Sequence, residues 1–364
     1  MPLDARVDAW ARLALCQLQS RTITALLGKF GSAERIFSAT RAQLTVATSP
    51  AIASRIQAPA SLLEATRQWL DHPDHQLVAW DDPDFPRSLL DLGDAPPVLF
   101  FMGRRELLNR PALAIVGSRH ATPQGIENAR AFARALAQAG LTIISGLALG
   151  IDAGAHEGAL EGAGATLACV GTGPDRVYPA IHRELAHRIA LSGGIVSEFA
   201  PGTPPLPYNF PRRNRLISGM AAGVLVVEAT LSSGSLITAR LAGEQGREVF
   251  AIPGSIHSPF SRGCHKLIRE GAKLVETAQD VLDELRLDGI RVAAPGGGSR
   301  SLSSVAVATP HHAVVAALGG DPCDLDTLIA RTRLEPETVA AALVELELEG
   351  QVAALPGGRW QRVA

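Results

Sequence analysis

Three arginines and an asparagine fall within four positions, Arg212, Arg213, Asn214 and Arg215, inside the run Phe210-Pro211-Arg212-Arg213-Asn214-Arg215-Leu216-Ile217-Ser218-Gly219. Guanidinium groups grip phosphate oxygens two at a time and stack on bases, so this cluster ahead of an apolar helix points to a polyanionic ligand. At least one of the arginines is expected to face ligand, and at least one to pair with a carboxylate such as Glu198 or Glu228. Five short loops point the same way: Gly117-Ser118-Arg119 with Thr122-Pro123, Ser145-Gly146, Gly171-Thr172-Gly173, Ser232-Ser233-Gly234-Ser235, and Pro253-Gly254-Ser255. Glycine lets a backbone approach a ligand closely and serine adds a hydroxyl, while unpaired amides at helix starts hold phosphate oxygens. One such turn is common in any α/β protein; five together favour an anion site.

The elements that must position these loops follow from periodicity. Between about residues 76 and 288, continuously apolar, β-branched runs alternate with helical segments, as in a parallel sheet covered on both faces. The runs 113–116, 141–144, 166–170, 194–197, 224–228 and 249–252 are predicted as core strands, with 76–80 and 98–102 as edge strands. In such a sheet, ligands sit outside the carboxyl ends of the strands, where all five loops fall.

Residues 1–75 read as a domain of short helices with no strand pattern. Its segment Leu27-Gly28-Lys29-Phe30-Gly31-Ser32 is either a plain glycine turn in a packing domain, the simpler reading, or a helix-hairpin-helix-like hairpin. Residues 291–308 are Gly/Ser-rich and predict a flexible linker. Residues 309–364 then give helices near 325–331 and 336–348 and a hairpin around Pro356-Gly357-Gly358, a winged-helix pattern.

The net charge of −2 conceals an uneven distribution. From Pro204 to Lys273, nine Arg or Lys face four acids, whereas Leu274 to Ala364 carries thirteen acids and seven basic residues. The second helix of the tail, Glu335 to Glu349, has five glutamates and no Lys or Arg. On charge alone the tail is unsuited to a polyanion, and is expected to dock a protein or to screen the Arg213 region.

Other classes lack their signatures. The four cysteines form no CxxC pair, and no apolar stretch reaches membrane-spanning length, so a reduced, cytoplasmic protein away from membranes is expected. Gly171-Thr172-Gly173-Pro174-Asp175-Arg176 is not a dinucleotide fingerprint, and no Gly-Lys-Ser/Thr exists for a P-loop; no cofactor is expected. Asp152 and His156, four apart on a helix, read as a helix cap and a packed histidine rather than as metal ligands, since no third ligand is near. His311-His312 reads as solvated.

Further motifs carry a family resemblance: Ala114-Ile115-Val116-Gly117-Ser118-Arg119, Ile144-Ser145-Gly146-Leu147-Ala148-Leu149-Gly150-Ile151-Asp152, Val177-Tyr178-Pro179, Ser233-Gly234-Ser235, Val249-Phe250-Ala251-Ile252-Pro253-Gly254 and Gly263-Cys264-His265-Lys266-Leu267-Ile268-Arg269-Glu270-Gly271-Ala272. Together with the arginine motif, these span about 160 residues and resemble the DNA-processing protein A (DprA/Smf) family. The resemblance implies an extended Rossmann-like, doubly wound and mostly parallel sheet. An N-terminal helical (SAM/helix-hairpin-helix-like) domain and a C-terminal winged helix would flank it. It further implies a homodimer that binds single-stranded DNA without catalysis, protects incoming strands and loads the RecA recombinase in natural transformation.

Transferred to this chain, the resemblance assigns DNA phosphate to Gly117, Ser118, Arg119, Arg213, Asn214 and Arg215, with Lys266 extending the basic path. The loop and cluster readings add Gly146, Arg212, Ser233, Gly234 and Ser235. His182 and His265 depart from the family pattern, where asparagine is frequent. A nucleotide phosphoribohydrolase also builds a phosphate cradle on a sheet rim, but Thr238 stands where its catalytic glutamate belongs. A protein-interaction scaffold is the third alternative.

Overall fold

The computed structural model describes residues 4–59, 61–162, 165–285, 310–318 and 322–363; the expected linker at 291–308 lies outside them. Nine strands form one sheet: β1 (His75–Ala79), β2 (Val98–Gly103), β3 (Ala112–Val116), β4 (Thr142–Ser145), β5 (Thr166–Cys169), β6 (Gly194–Ser197), β7 (Gly223–Val226), β8 (Glu248–Ala251) and β9 (Lys273–Leu274). Their spatial order is β1-β2-β6-β5-β4-β3-β7-β8-β9. β1 pairs antiparallel with β2, and β2 antiparallel with β6; every other pairing is parallel.

The parallel strands β3 to β7 are fully buried along their length, which explains their largely apolar character; the buried hydroxyls of Ser145, Thr166 and Ser197 at strand ends donate to backbone carbonyls. The predicted 98–102 run is not an edge strand but lies between β1 and β6. β9, at the opposite edge, is too short to leave an apolar pattern in the sequence.

Helices α1 (Ala5–Leu15), α2 (Ser20–Phe30), α3 (Ala33–Ser38), α4 (Arg41–Ala47), α5 (Pro50–Gln57) and α6 (Leu63–Leu70) precede the sheet. Their apolar residues, among them Trp10, Leu13, Ile23 and Ile36, share one cluster with Leu77 of β1 and Phe100 of β2. Gly31, at φ +85°, ends α2, and Ser32 caps α3 through the Arg35 amide. The glycine turn therefore works as a helix–helix corner.

Around the sheet lie α7 (Arg87–Leu90), α8 (Pro123–Gln138), α9 (Ile151–Glu161), α10 (Arg183–Ser192), α11 (Asn209–Gly219), α12 (Ser235–Glu244), α13 (Arg262–Arg269) and α14 (Ala278–Leu285). Small residues set the crossing of α8 and α9: a Cβ on Gly158 would run into the Arg130 carbonyl, and one on Gly154 would sit 2.8 Å from the Ile126 oxygen.

The C-terminal unit contains α15 (Pro310–Leu318), β10 (Cys323–Asp324), α16 (Leu325–Thr332), α17 (Pro336–Leu348), β11 (Val352–Leu355) and β12 (Arg359–Arg362), with sheet order β10-β12-β11. Val314, Leu328, Val339, Leu343 and Val352 form its core. This is the expected winged helix. α17 buries Val339, Ala342, Leu343 and Leu346 and leaves its glutamates exposed. His311 is not merely solvated: its Nε2 lies 2.6 Å from Glu345.

Candidate nucleic-acid interface

The strand order reverses at β3, which has β4 on one side and β7 on the other. A crevice must therefore open at the carboxyl ends of β3 and β7, where successive connections run off in opposite directions. A cavity of about 470 Å³ occupies that place. Its walls are the β3–α8 loop with Gly117, Ser118, Arg119 and His120, the start of α11 with Phe210, Arg213 and Asn214, and the β7–α12 loop from Thr230 to Ser235.

Local chemistry fixes the first wall. Thr122 caps α8, accepting from the Gly125 amide at 3.0 Å, with Pro123 in the first turn. Glu228, just past β7, accepts from the Thr122 amide (2.9 Å) and hydroxyl (2.6 Å), and its own carbonyl accepts from the Ser118 amide at 2.7 Å. Burial raises the Glu228 pKa, opposed by the Thr122 bonds. Gly117 must lack a side chain, since a Cβ there would lie 2.5 Å from Ile151 and 2.9 Å from the Glu228 carbonyl. Arg119 is exposed at the cavity rim, its guanidinium 5.8 Å from the centre of the Phe210 ring.

The third wall leaves donors without partners. Ser233 closes a turn on Thr230, its Oγ accepting from the Thr230 amide at 3.0 Å. Ser235 opens α12 with its Oγ buried and unpaired, and among the described residues its amide has no acceptor. A hydroxyl buried without a partner carries a free-energy cost that an anion would remove, and the helix-start amide offers a second donor to it.

Arg213 forms the floor. It is only 4% exposed, and its Nη1 donates to the carbonyls of Gly146 (2.7 Å) and Cys169. Burial lowers its pKa, the Asp152 carboxylate favours the charge, and the neighbouring Arg119 opposes it. Asp152 is itself buried, which raises its pKa, and it accepts from the amides of Gly146 (3.1 Å) and Ala148 (3.3 Å). It ties a loop rather than capping α9, whose N-cap is Gly150 with no side-chain bond. Between those amides Leu147 holds φ +59°, and His182 Nδ1 lies 2.9 Å from its carbonyl. A non-glycine residue in that region needs such bracing. His156 is packed: Thr166 Oγ1 donates to the Ile143 carbonyl, leaving it to accept from His156 Nδ1 at 2.8 Å.

The structure thus brings Gly117, Ser118, Arg119, Arg213, Asn214, Ser233, Gly234 and Ser235 around one cavity. Gly146 lies beneath it, with both its amide and its carbonyl engaged. Arg215 is 6% exposed and bonded to Glu198 at 2.5 Å and to Asp94 at 3.2 Å. Arg212 points outward, 3.0 Å from Glu198. Lys266 is on α13, away from this cavity and 3.8 Å from Glu270. Sequence reasoning did not single out His120 or Thr230, which also line the cavity. Only His120, directly after the Gly-Ser-Arg loop, had a local signal. Asp152, which lines the cavity, and Glu228, which bonds Thr122 behind its first wall, are both committed to hydrogen bonds.

Fold and cavity define a Rossmann-like α/β protein with a cavity at its switch point and an appended winged helix. The family model for DNA recombination-mediator protein A matches residues 76–286, and that for the DprA winged helix domain matches residues 300–358. Protein Smf of Escherichia coli is 44% identical over 82% of this chain and 81% of its own. A solved structure of DNA processing protein A from Streptococcus pneumoniae superposes with a TM-score of 0.66 at 38% identity, covering 75% of this chain and 95% of that one. DNA processing protein A from Helicobacter pylori, whose structure was described for its single-stranded DNA binding mode, gives a TM-score of 0.54 at 31% identity over 59% of this chain and 97% of that one. The chain belongs to the DprA/Smf family of DNA-processing proteins.

Proposed function

We propose that this protein holds single-stranded DNA by its phosphates in the cradle between β3 and β7, without catalysing a reaction on it. The observation that carries this reading is the unpaired Ser235 hydroxyl at a helix start facing the same cavity as the exposed Arg119 guanidinium. Gly117, Ser118, Asn214, Ser233 and Gly234 complete the cradle, and Arg213 sets its charge from below. Arg212, outside the cavity, extends the basic surface. Asp152 and Glu228 are held in structural hydrogen bonds and so are not free to act as a general acid or base on the ligand.

As a DNA-processing protein, it is inferred to protect incoming strands in the cytoplasm and to load the RecA recombinase during natural transformation. Among the described residues no helix is long and apolar enough to cross a membrane. It is inferred to act as a homodimer, for which the open sheet edge at β9, with Leu274 45% exposed, is suited.

The test is oligothymidine binding across a salt series. Arg119→Ala should weaken affinity by about 1–3 kcal/mol and flatten the salt slope, through loss of charge-assisted phosphate bonds. Wild-type affinity in a folded Arg119→Ala protein would remove the cradle from consideration.

A further inference from the structure

A second cavity, of about 710 Å³, lies between the Rossmann-like core and the wing of the C-terminal domain. It shares His120 and Phe260 with the cradle, so the two adjoin at the β3–α8 loop. The core side supplies Gln124 and Ser258, and the wing side supplies Arg359 and Gln361 of β12. Among the described residues Arg359 is exposed with no hydrogen-bond or ion-pair partner. Gln361 is 4% exposed, yet its Oε1 is buried without a partner. The carboxylate in this cavity, Glu228, is turned onto the amide and hydroxyl of Thr122.

Charge within the tail is segregated. The glutamates are exposed on α17, while the wing carries Arg359 and Arg362. The net acidity of the tail therefore misrepresents the face turned toward the core. An unpaired cation, an unpaired buried carboxamide and proline and phenylalanine walls suit one nucleotide: phosphate on the guanidinium, base edge on the amide, base face on the apolar wall.

We propose that the wing closes over the DNA strand beside the cradle, with Arg359 on the phosphate and Gln361 on the base of a nucleotide seated between wing and core. This inference rests on the cradle being the DNA site and adds a second, wing-dependent part to it.

The experiment uses full-length protein and oligothymidines from about 4 to about 16 nucleotides, the span of common single-strand footprints. Arg359→Ala should bind the shortest oligomers as wild type does and the longer ones about 5- to 10-fold more weakly. The salt slope on long oligomers should fall by about 0.7, one single-strand phosphate contact. Arg362→Ala, on the same strand and outside the cavity, should behave as wild type at every length. Wild-type behaviour of Arg359→Ala at all lengths overturns the proposal, as does an equal loss in Arg362→Ala, which would mean diffuse charge rather than a seat. Arg119→Ala separates the two readings: if it weakens binding at every length while Arg359→Ala weakens none, the cradle stands and the wing seat falls; if it weakens none, the cradle reading itself fails.

Discussion

Arg213 and Arg119 differ in what removing each should do. Arg119 is exposed at the rim, where it is proposed to meet phosphate, whereas Arg213 holds two carbonyls from within the core, with Asp152 favouring its charge. Removing Arg213 leaves the buried carbonyls of Gly146 and Cys169 without its donor, at a cost of about 1–3 kcal/mol for each unsatisfied group. Arg213→Ala should therefore lower the urea midpoint sharply and lose DNA affinity with it. An unchanged midpoint with lost binding would instead make Arg213 a phosphate ligand. His156 gives a pH prediction. Burial pushes its pKa down to about 3, from an ordinary value near 6.5, so the folded protein stays neutral at this site while the unfolded chain takes up a proton. Its contribution to stability is complete above about pH 6.5 and is lost as pH falls toward about 3, at roughly 1 kcal/mol per pH unit within that window. Urea unfolding at pH 7 and pH 5 should show a smaller acid loss in His156→Gln than in wild type; equal losses would mean that His156 is not the source.

At the scale of elements, the cradle depends on close backbone approach. Gly150, at φ +74°, starts α9, and a Cβ there would fall on the Ser118 carbonyl. Gly150→Ala should destabilise the fold by more than about 1 kcal/mol and displace the Gly-Ser-Arg loop, lowering DNA affinity in the folded fraction as well. Gly158→Ala acts where α9 crosses α8, remote from the cavity, and is expected to lower thermal stability while leaving affinity per folded molecule near wild type. Differential scanning calorimetry paired with titration of the active fraction separates the two outcomes. Equal effects on affinity would show that the helix crossing transmits to the loop.

Across the whole molecule, the cradle offers amides, hydroxyls and a guanidinium, which bind the same phosphate in every nucleotide. Phosphate contacts position a strand and do not read its sequence. Binding to unstructured homopolymers of equal length should therefore vary only modestly with base, in competition fluorescence measurements. A hundredfold preference would mean that base contacts, such as those proposed for Gln361, dominate over the phosphates.

The alternation of buried apolar runs with helices was legible in the sequence, because strands covered on both faces are built mostly of apolar residues and helices need a 3.6-residue period. So were the loops at the sheet rim, since Gly117, Ser235 and their neighbours serve through local conformation and position after a strand. The winged-helix pattern, from Pro336 to the Pro356-Gly357-Gly358 turn, was equally local. The roles within the arginine cluster were not. Arg212, Arg213 and Arg215 are near neighbours, yet helix geometry sends Arg213 onto Gly146 and Cys169 and brings Arg212, from the exposed side, and the buried Arg215 onto Glu198. Which guanidinium meets solvent depends on partners far away in the chain. The same holds for the wing, whose net charge is read from sequence but whose Arg359 finds the cavity beside Ser258 and Gln124 only when the two domains are folded against each other. Short-range chemistry is written in spacing, while burial and charge pairing arise from residues distant in sequence that only the tertiary fold brings together.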